Sequence, residues 1–188
     1  MATQATQHEY DTAQDFMPAI SGTPSTTLQN ARARIAKLEA LRVHDEKTGL
    51  LNGKGMVQAL TREAARMKRE TAASHIFVHV QIDNLESIRA QFGALAAEMA
   101  VRIMARTLSG QARECDFLSH SAADEFSLLL VNADQDRVIP RIQTLNLGLN
   151  KLSFRWNGQG VPLLASLGIE TCAKAQDLNE ICEAYLAA

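Results

Sequence analysis

Two short apolar runs, Phe117–His120 and Phe126–Val131, flank the small polar segment Ser121-Ala122-Ala123-Asp124-Glu125. Nothing else in the chain restricts its fold as strongly, because two strands separated by so few residues read as one antiparallel hairpin. A third strand is predicted at Ile76–Ile82, which is rich in β-branched residues and short enough to be buried. Its alternation puts Phe77, His79 and Gln81 on one face and Ile76, Val78, Val80 and Ile82 on the other. Helices are predicted around these strands. Asn52 caps one whose buried face is Met56, Leu60, Ala64 and Met67, ending near Thr71. Leu95–Leu108 is built of good helix formers, Asp134–Leu149 reads as a helix interrupted early by Pro140, and a last helix spans Asp177–Ala187. Phe154–Trp156 and Leu163–Glu170 read as strands joined through the turn dipeptide Asn157-Gly158. This order predicts an α+β fold, with helices packed on a mainly antiparallel central sheet.

The chain has 188 residues, 46% of them hydrophobic, which is enough for one compact domain with a sizeable core. Its formal net charge of −2 leaves no basic footprint, so neither nucleic acid nor a lipid surface is an expected partner. No apolar run approaches the roughly 20 residues of a membrane span, and Met1–Tyr10 is too polar for a signal peptide, so a cytoplasmic protein is expected. Cys115, Cys172 and Cys182 are widely spaced and odd in number, which argues for reduced thiols rather than disulfides or a zinc site. Residues 1–27 have the composition of a flexible tail. Residues 28–44 form a helical segment in which Leu28, Ala31, Ile35 and Leu38 make a short apolar seam. That seam either pairs two chains in a homodimer or lies on its own domain, and the segment is read as a signalling or dimerisation helix.

Several motifs share one register from Asp45 onward. His44-Asp45-Glu46-Lys47-Thr48-Gly49-Leu50-Leu51-Asn52, Gln81-Ile82-Asp83-Asn84-Leu85-Glu86, the Ser121–Phe126 segment and Leu167-Gly168-Ile169 follow one another. In this order they resemble the GGDEF domain of diguanylate cyclases, whose opening turn reads Asp-x-Leu-Thr-Gly-Leu-x-Asn and whose later strand reads Ser-x-Gly. Lys47 stands where that turn usually has leucine. The resemblance, covering residues 45–188, implies a cyclase or polymerase-palm fold and a reaction that condenses two GTP into cyclic di-GMP.

The departures from the family fall where that reaction needs its chemistry. Attack of a ribose hydroxyl on an α-phosphate requires carboxylates to hold divalent metals. Gln81 stands in the position of one metal-binding Asp and offers only a neutral amide oxygen; Asp83, Asp124 and Glu125 remain. Arg89 replaces the Asn that reads guanine, and a guanidinium cannot accept from the base; Glu98 replaces its Asp partner with a longer side chain. Glu86 turns a lysine near the phosphates into a carboxylate. Ala122 and Ala123 replace the two glycines that permit positive φ and close ligand approach. The family's C-terminal Ala-Lys-x-x-Gly-Arg-Asn has no counterpart before Ala188. A catalytically inactive, degenerate GGDEF domain is therefore expected, with no metal and no cofactor. The bland reading of Asp124 and Glu125 is that they are polar residues of an exposed turn.

Arg113-Glu114-Cys115-Asp116 matches the family's Arg-x-x-Asp inhibitory site, which binds cyclic di-GMP as a product sensor. An arginine fork and a carboxylate suit phosphate and guanine edges. Arg137 and Arg141 are candidates for the additional arginine of such a site. Alternatively, Arg113 and Asp116 form a local, exposed ion pair. Three functions follow in order: a regulatory or protein-interaction module in cyclic di-GMP signalling that receives the dinucleotide at Arg113 and Asp116; a nucleotide-independent dimerisation or docking scaffold for an unidentified signalling protein; a weakly active cyclase. His75 and His79 have helical metal-pair spacing but fall in a strand, about 13 Å apart. Phe154 and Trp156 are read as packing residues, and His120, in place of a family arginine, as exposed.

Overall fold

The computed structural model describes residues 24–70, 74–133 and 135–187. The chain divides after Leu41 into two units. In the first, helix α1 (Pro24–Leu41) begins on a proline, whose missing N–H costs nothing at a first helical position. Its seam residues Leu28, Ile35 and Leu38 are exposed. The tail expected over residues 1–27 lies outside the described residues up to residue 23.

The second unit runs α2 (Gly53–Met67), β1 (His75–Ile82), α3 (Leu85–Phe92), α4 (Ala94–Ser109), β2 (Phe117–His120), β3 (Glu125–Leu130), α5 (Gln135–Leu149), β4 (Ser153–Trp156), β5 (Gln159–Pro162), β6 (Ala165–Cys172) and α6 (Ala175–Ala187). The strands β2-β3-β1-β6 form one antiparallel sheet, and β4-β5 form a separate hairpin. This is an α+β fold with a central antiparallel sheet flanked by helices. The alternation of β1 sets its layers. Ile76, Val78, Val80 and Ile82 join a core with Leu85 of α3, Ala100 and Met104 of α4 and Ile142 of α5. Phe77 faces the other way, into Met56 and Leu60 of α2 and Leu178 and Ile181 of α6. Each such large side chain contributes about 1.5–3 kcal/mol by leaving water. On the Phe77 face the pattern turns polar at His79 and Gln81, both exposed. The C-terminal end of β1 is thereby left open beside the hairpin turn.

The opening motif is pinned to the sheet edge. Gly49 takes φ +73°, which lets its N–H reach Asp45 O at 2.9 Å. Leu51 N–H donates to Leu118 O at 3.2 Å and its carbonyl oxygen accepts from His120 N–H at 2.8 Å, so Leu51 lies alongside Ser119 of β2. Asn52 then caps α2, its Oδ1 accepting from Gly55 N–H at 2.9 Å while Nδ2 donates to Arg42 O at 3.0 Å.

Three elements differ from expectation. Leu85–Phe92 is a helix of its own, in which Leu85 and Ile88 turn inward. Pro140 lies inside α5 without interrupting it. The turn at Asn157-Gly158, both at positive φ, does not lead into the last strand. It pairs Trp156 with Gln159, because a two-residue loop with left-handed backbone folds the chain directly back on itself. The following strand, β6, pairs with β1 instead.

Candidate functional site

The β1–β3 register sets Gln81 opposite Glu125, and Ile82 N–H donates to Asp124 O at 2.9 Å. The Gln81 amide nitrogen donates to Asp124 Oδ2 at 3.2 Å. Asp83 is engaged elsewhere, its Oδ1 accepting from Ser166 Oγ at 2.7 Å. Glu125 points to solvent. Ser121 N–H to Glu125 O at 3.0 Å closes the turn. Among the described non-glycine residues only Asn132 and Asn157 have positive φ, so Ala122 and Ala123 sit in backbone that any L-residue adopts. The turn closes without glycine, and the alanines instead add side-chain volume at its surface.

Ala123 helps to line a cleft of ≈150 Å³ with Lys47, Arg89, Glu98 and His120. The structure thus gathers Arg89, Glu98 and Ala123 at one place, while Gln81, Asp83, Ala122, Asp124 and Glu125 lie outside that lining. Of its polar side chains, Arg89, Glu98 and His120 already have partners. Arg89 Nε is 3.4 Å from Glu86 Oε1, and Glu98 Oε1 accepts from Arg102 Nη2 at 2.7 Å. Small-molecule sites commonly enclose about 300–1,000 Å³, so the cleft falls below the usual size of a nucleotide pocket.

His120 corrects the expectation of an exposed residue. It is 8% exposed, its ring centroid lies 4.7 Å from that of Phe126, and Nδ1 is 3.1 Å from Asp45 Oδ1. The neighbouring strand and the opening motif enclose it. Burial pushes the Asp45 carboxyl pKa up, but hydrogen bonds from the Thr48 hydroxyl, His120 and the Thr48 N–H outweigh this and hold it below the ordinary value. Sequence reading missed this pair, whose members belong to two distant motifs.

The divalent ions that the family reaction requires do not fit these side chains. The group opposite Asp124 is an amide whose N–H points at the carboxylate, where a metal would need a lone pair. Among the described residues no three His, Cys, Asp or Glu side chains cluster closely enough to hold a metal ion. His75 and His79 both lie on β1. His75 is buried with Nε2 3.0 Å from Glu63 Oε2, and His79 is 3.3 Å from Glu170 Oε1.

At the base of the hairpin, Arg113 and Asp116 do not form the exposed side-chain ion pair considered above. The Asp116 side chain is 1% exposed. Its Oδ2 accepts from Arg113 N–H at 2.8 Å and its Oδ1 from Val131 N–H at 3.2 Å. Its cationic neighbour is Arg141, whose Nη2 lies 3.6 Å away and also bonds Gln111 O. Packing of the loop before β2 against the end of β3 encloses this carboxylate. The Arg113 guanidinium is exposed and has no hydrogen bond or ion pair among the described residues. The side chain of Arg137 lies outside them.

With the sheet, the hairpin turn and the opening motif in this arrangement, residues 42–185 match the family described as diguanylate cyclase, GGDEF domain, and the chain belongs to that family. It is 27% identical over 144 residues to diguanylate cyclase DgcP of Pseudomonas aeruginosa. The match covers 75% of this chain and 21% of that protein, so the chain spans about a fifth of that relative's length. Among solved structures, a sensory box/GGDEF family protein from Caulobacter crescentus superposes with a TM-score of 0.66 at 23% identity, covering 78% of this chain and 96% of the other. The GGDEF domain of DgcB from the same organism, in complex with cyclic di-GMP, superposes with a TM-score of 0.66 at 16% identity, covering 77% and 86%. No helix among the described residues is long and apolar enough to cross a membrane.

Proposed function

We propose that this GGDEF domain is a catalytically inactive regulatory module of cyclic di-GMP signalling. The observation that carries the reading is the Gln81–Asp124 hydrogen bond. Two positions that would share metal coordination in a working cyclase bond each other instead, and an amide supplies none of the negative charge that a divalent ion needs. Arg89 and Glu98, held by Glu86 and Arg102, favour the same reading. Incubation of the purified protein with GTP and magnesium is expected to yield no cyclic di-GMP and no linear dinucleotide. Gln81→Asp alone is expected to stay inactive, because the guanine-side substitutions remain. Measurable product from the unaltered protein would reject the proposal.

A receptor role draws support from the exposed, unpartnered Arg113, with Arg141 nearby, and from the DgcB domain's complex with cyclic di-GMP. In this reading Arg113 contacts the ligand and Asp116 shapes the loop. Calorimetric titration with cyclic di-GMP is expected to give a signal that Arg113→Ala removes; a blank trace favours the nucleotide-independent scaffold. The exposed Leu28, Ile35 and Leu38 of α1 support that alternative, with either a second copy or a signalling protein as partner.

A further inference from the structure

A cleft of ≈530 Å³ lies between the opening motif and the outer side of α4, lined in part by Lys47, Met99, Arg102, Ile103 and Arg106. We propose that it binds a phosphorylated small molecule carrying at least two phosphate charges on an apolar or planar body, the chemistry of a nucleoside di- or triphosphate. This cleft shares Lys47 with the smaller cleft at the hairpin turn but takes the rest of its lining from other residues, and none from the Arg113 loop. The inference goes beyond the absence of catalysis and stands without it.

Three cations converge here from two elements. Arg102 and Arg106 stand four residues apart on α4, which puts them on one face. Lys47 approaches from the opposing turn. Among the described residues Lys47 and Arg106 have no ion-pair partner, and only Arg102 is offset, by Glu98 at 2.7 Å. The hydroxyls of Thr48 and Ser109, also at the cleft, donate to Asp45 and to Ala105 O, so recognition falls to the cations. Like charges brought together without counter-charge favour an anion of high charge density, and phosphates offer several acceptor oxygens to each arginine. Met99, 42% exposed, and the partly buried Ile103 lie among the charges and form an apolar floor that a bare anion would leave unused. The volume lies within the range for small-molecule sites, about 300–1,000 Å³.

Calorimetry and NMR with pyrophosphate, ATP, GTP and an acidic Glu-rich peptide separate the alternatives. Both nucleotides are expected to bind more tightly than pyrophosphate, shifting resonances of residues 47–49 and 99–109. Arg106→Gln and Lys47→Leu should each weaken binding about tenfold, the loss expected for one charge-assisted contact. Met99→Ala should erase the nucleotides' advantage over pyrophosphate, while Arg113→Ala and Arg89→Ala change nothing. Circular dichroism of every variant checks that it is folded. The proposal is overturned if none of the phosphates binds, if Arg89→Ala abolishes binding and Arg106→Gln does not, or if the peptide binds the same residues more tightly than the nucleotides. A cyclase assay reads the proposed inactivity independently of every arm.

Discussion

Asp45 shows how one side chain can join two motifs. Its carboxylate takes hydrogen bonds from Thr48 and lies against His120, which is why its pKa is depressed despite burial. A carboxyl group whose folded pKa lies below its unfolded value adds stability above the unfolded value near 3.8 and loses it as pH falls through the folded one. Asp45→Asn should therefore lower stability at pH 7 by about 1–2 kcal/mol and flatten the acid side of a urea-midpoint profile against pH. An unchanged acid limb would show that Asp45 is not the titrating group. The thiols give a second prediction. Burial, with smaller help from Asp177 and Glu170, pushes Cys172 up to about 12, and burial raises Cys182 as well, whereas Cys115 is exposed. Since the thiolate is the nucleophile, a disulfide reagent at pH 8 should label one thiol rapidly in the native protein, and Cys115→Ser should remove it. The Asp45–His120 contact was not legible in the sequence, because nothing in a motif says which residue of another motif it will touch.

Local elements were legible where periodicity and turn chemistry act over a few residues. The cap at Asn52, the apolar face of α2 and the alternation of β1 all emerged as read. Asn52→Ala should destabilise by about 1–2 kcal/mol, since it removes both the cap and the bond to Arg42 O. Gly55→Ala should cost more, about 2–4 kcal/mol, because its Cβ would lie 2.3 Å from Val43 O and 3.0 Å from Leu51 Cδ2. Equilibrium denaturation checks both, and a neutral Gly55→Ala would mean that the chain before α2 moves freely aside. Pro140 was misleading because a single-residue rule was set against a whole helix. Packing of Val138, Ile142, Leu145 and Leu149 into the core holds α5 together through the missing hydrogen bond. The β4–β5 hairpin was misread for a related reason. The turn dipeptide was recognised, but its short loop selects the strand that immediately follows it.

At the scale of the whole molecule, Asp116 is a junction rather than a surface group. It connects the loop before β2, the end of β3 and, through Arg141, helix α5. Asp116→Ala should lower stability by about 2–4 kcal/mol, leaving two backbone N–H groups and a cation without this acceptor. Thermal or chemical denaturation would measure this, and a loss below 1 kcal/mol would show that water replaces the carboxylate. Arg113→Ala, on an exposed side chain, should leave stability nearly unchanged and is the cleaner probe of ligand binding. Family, α+β class and most elements were legible in the chain alone, because motifs, caps and alternation act over a few residues. The sequence also singled out Gln81, Arg89 and Glu98 as positions that depart from the motifs the chain resembles. The condition of three carboxylates depends instead on packing between elements. Asp124 is bonded by Gln81 from another strand, Asp116 is enclosed by the end of β3, and Asp45 is held against His120. The physical reason is that chain spacing sets which residues a helix or turn brings together. Which donor reaches a carboxylate, and whether water still does, depends on how separate elements pack.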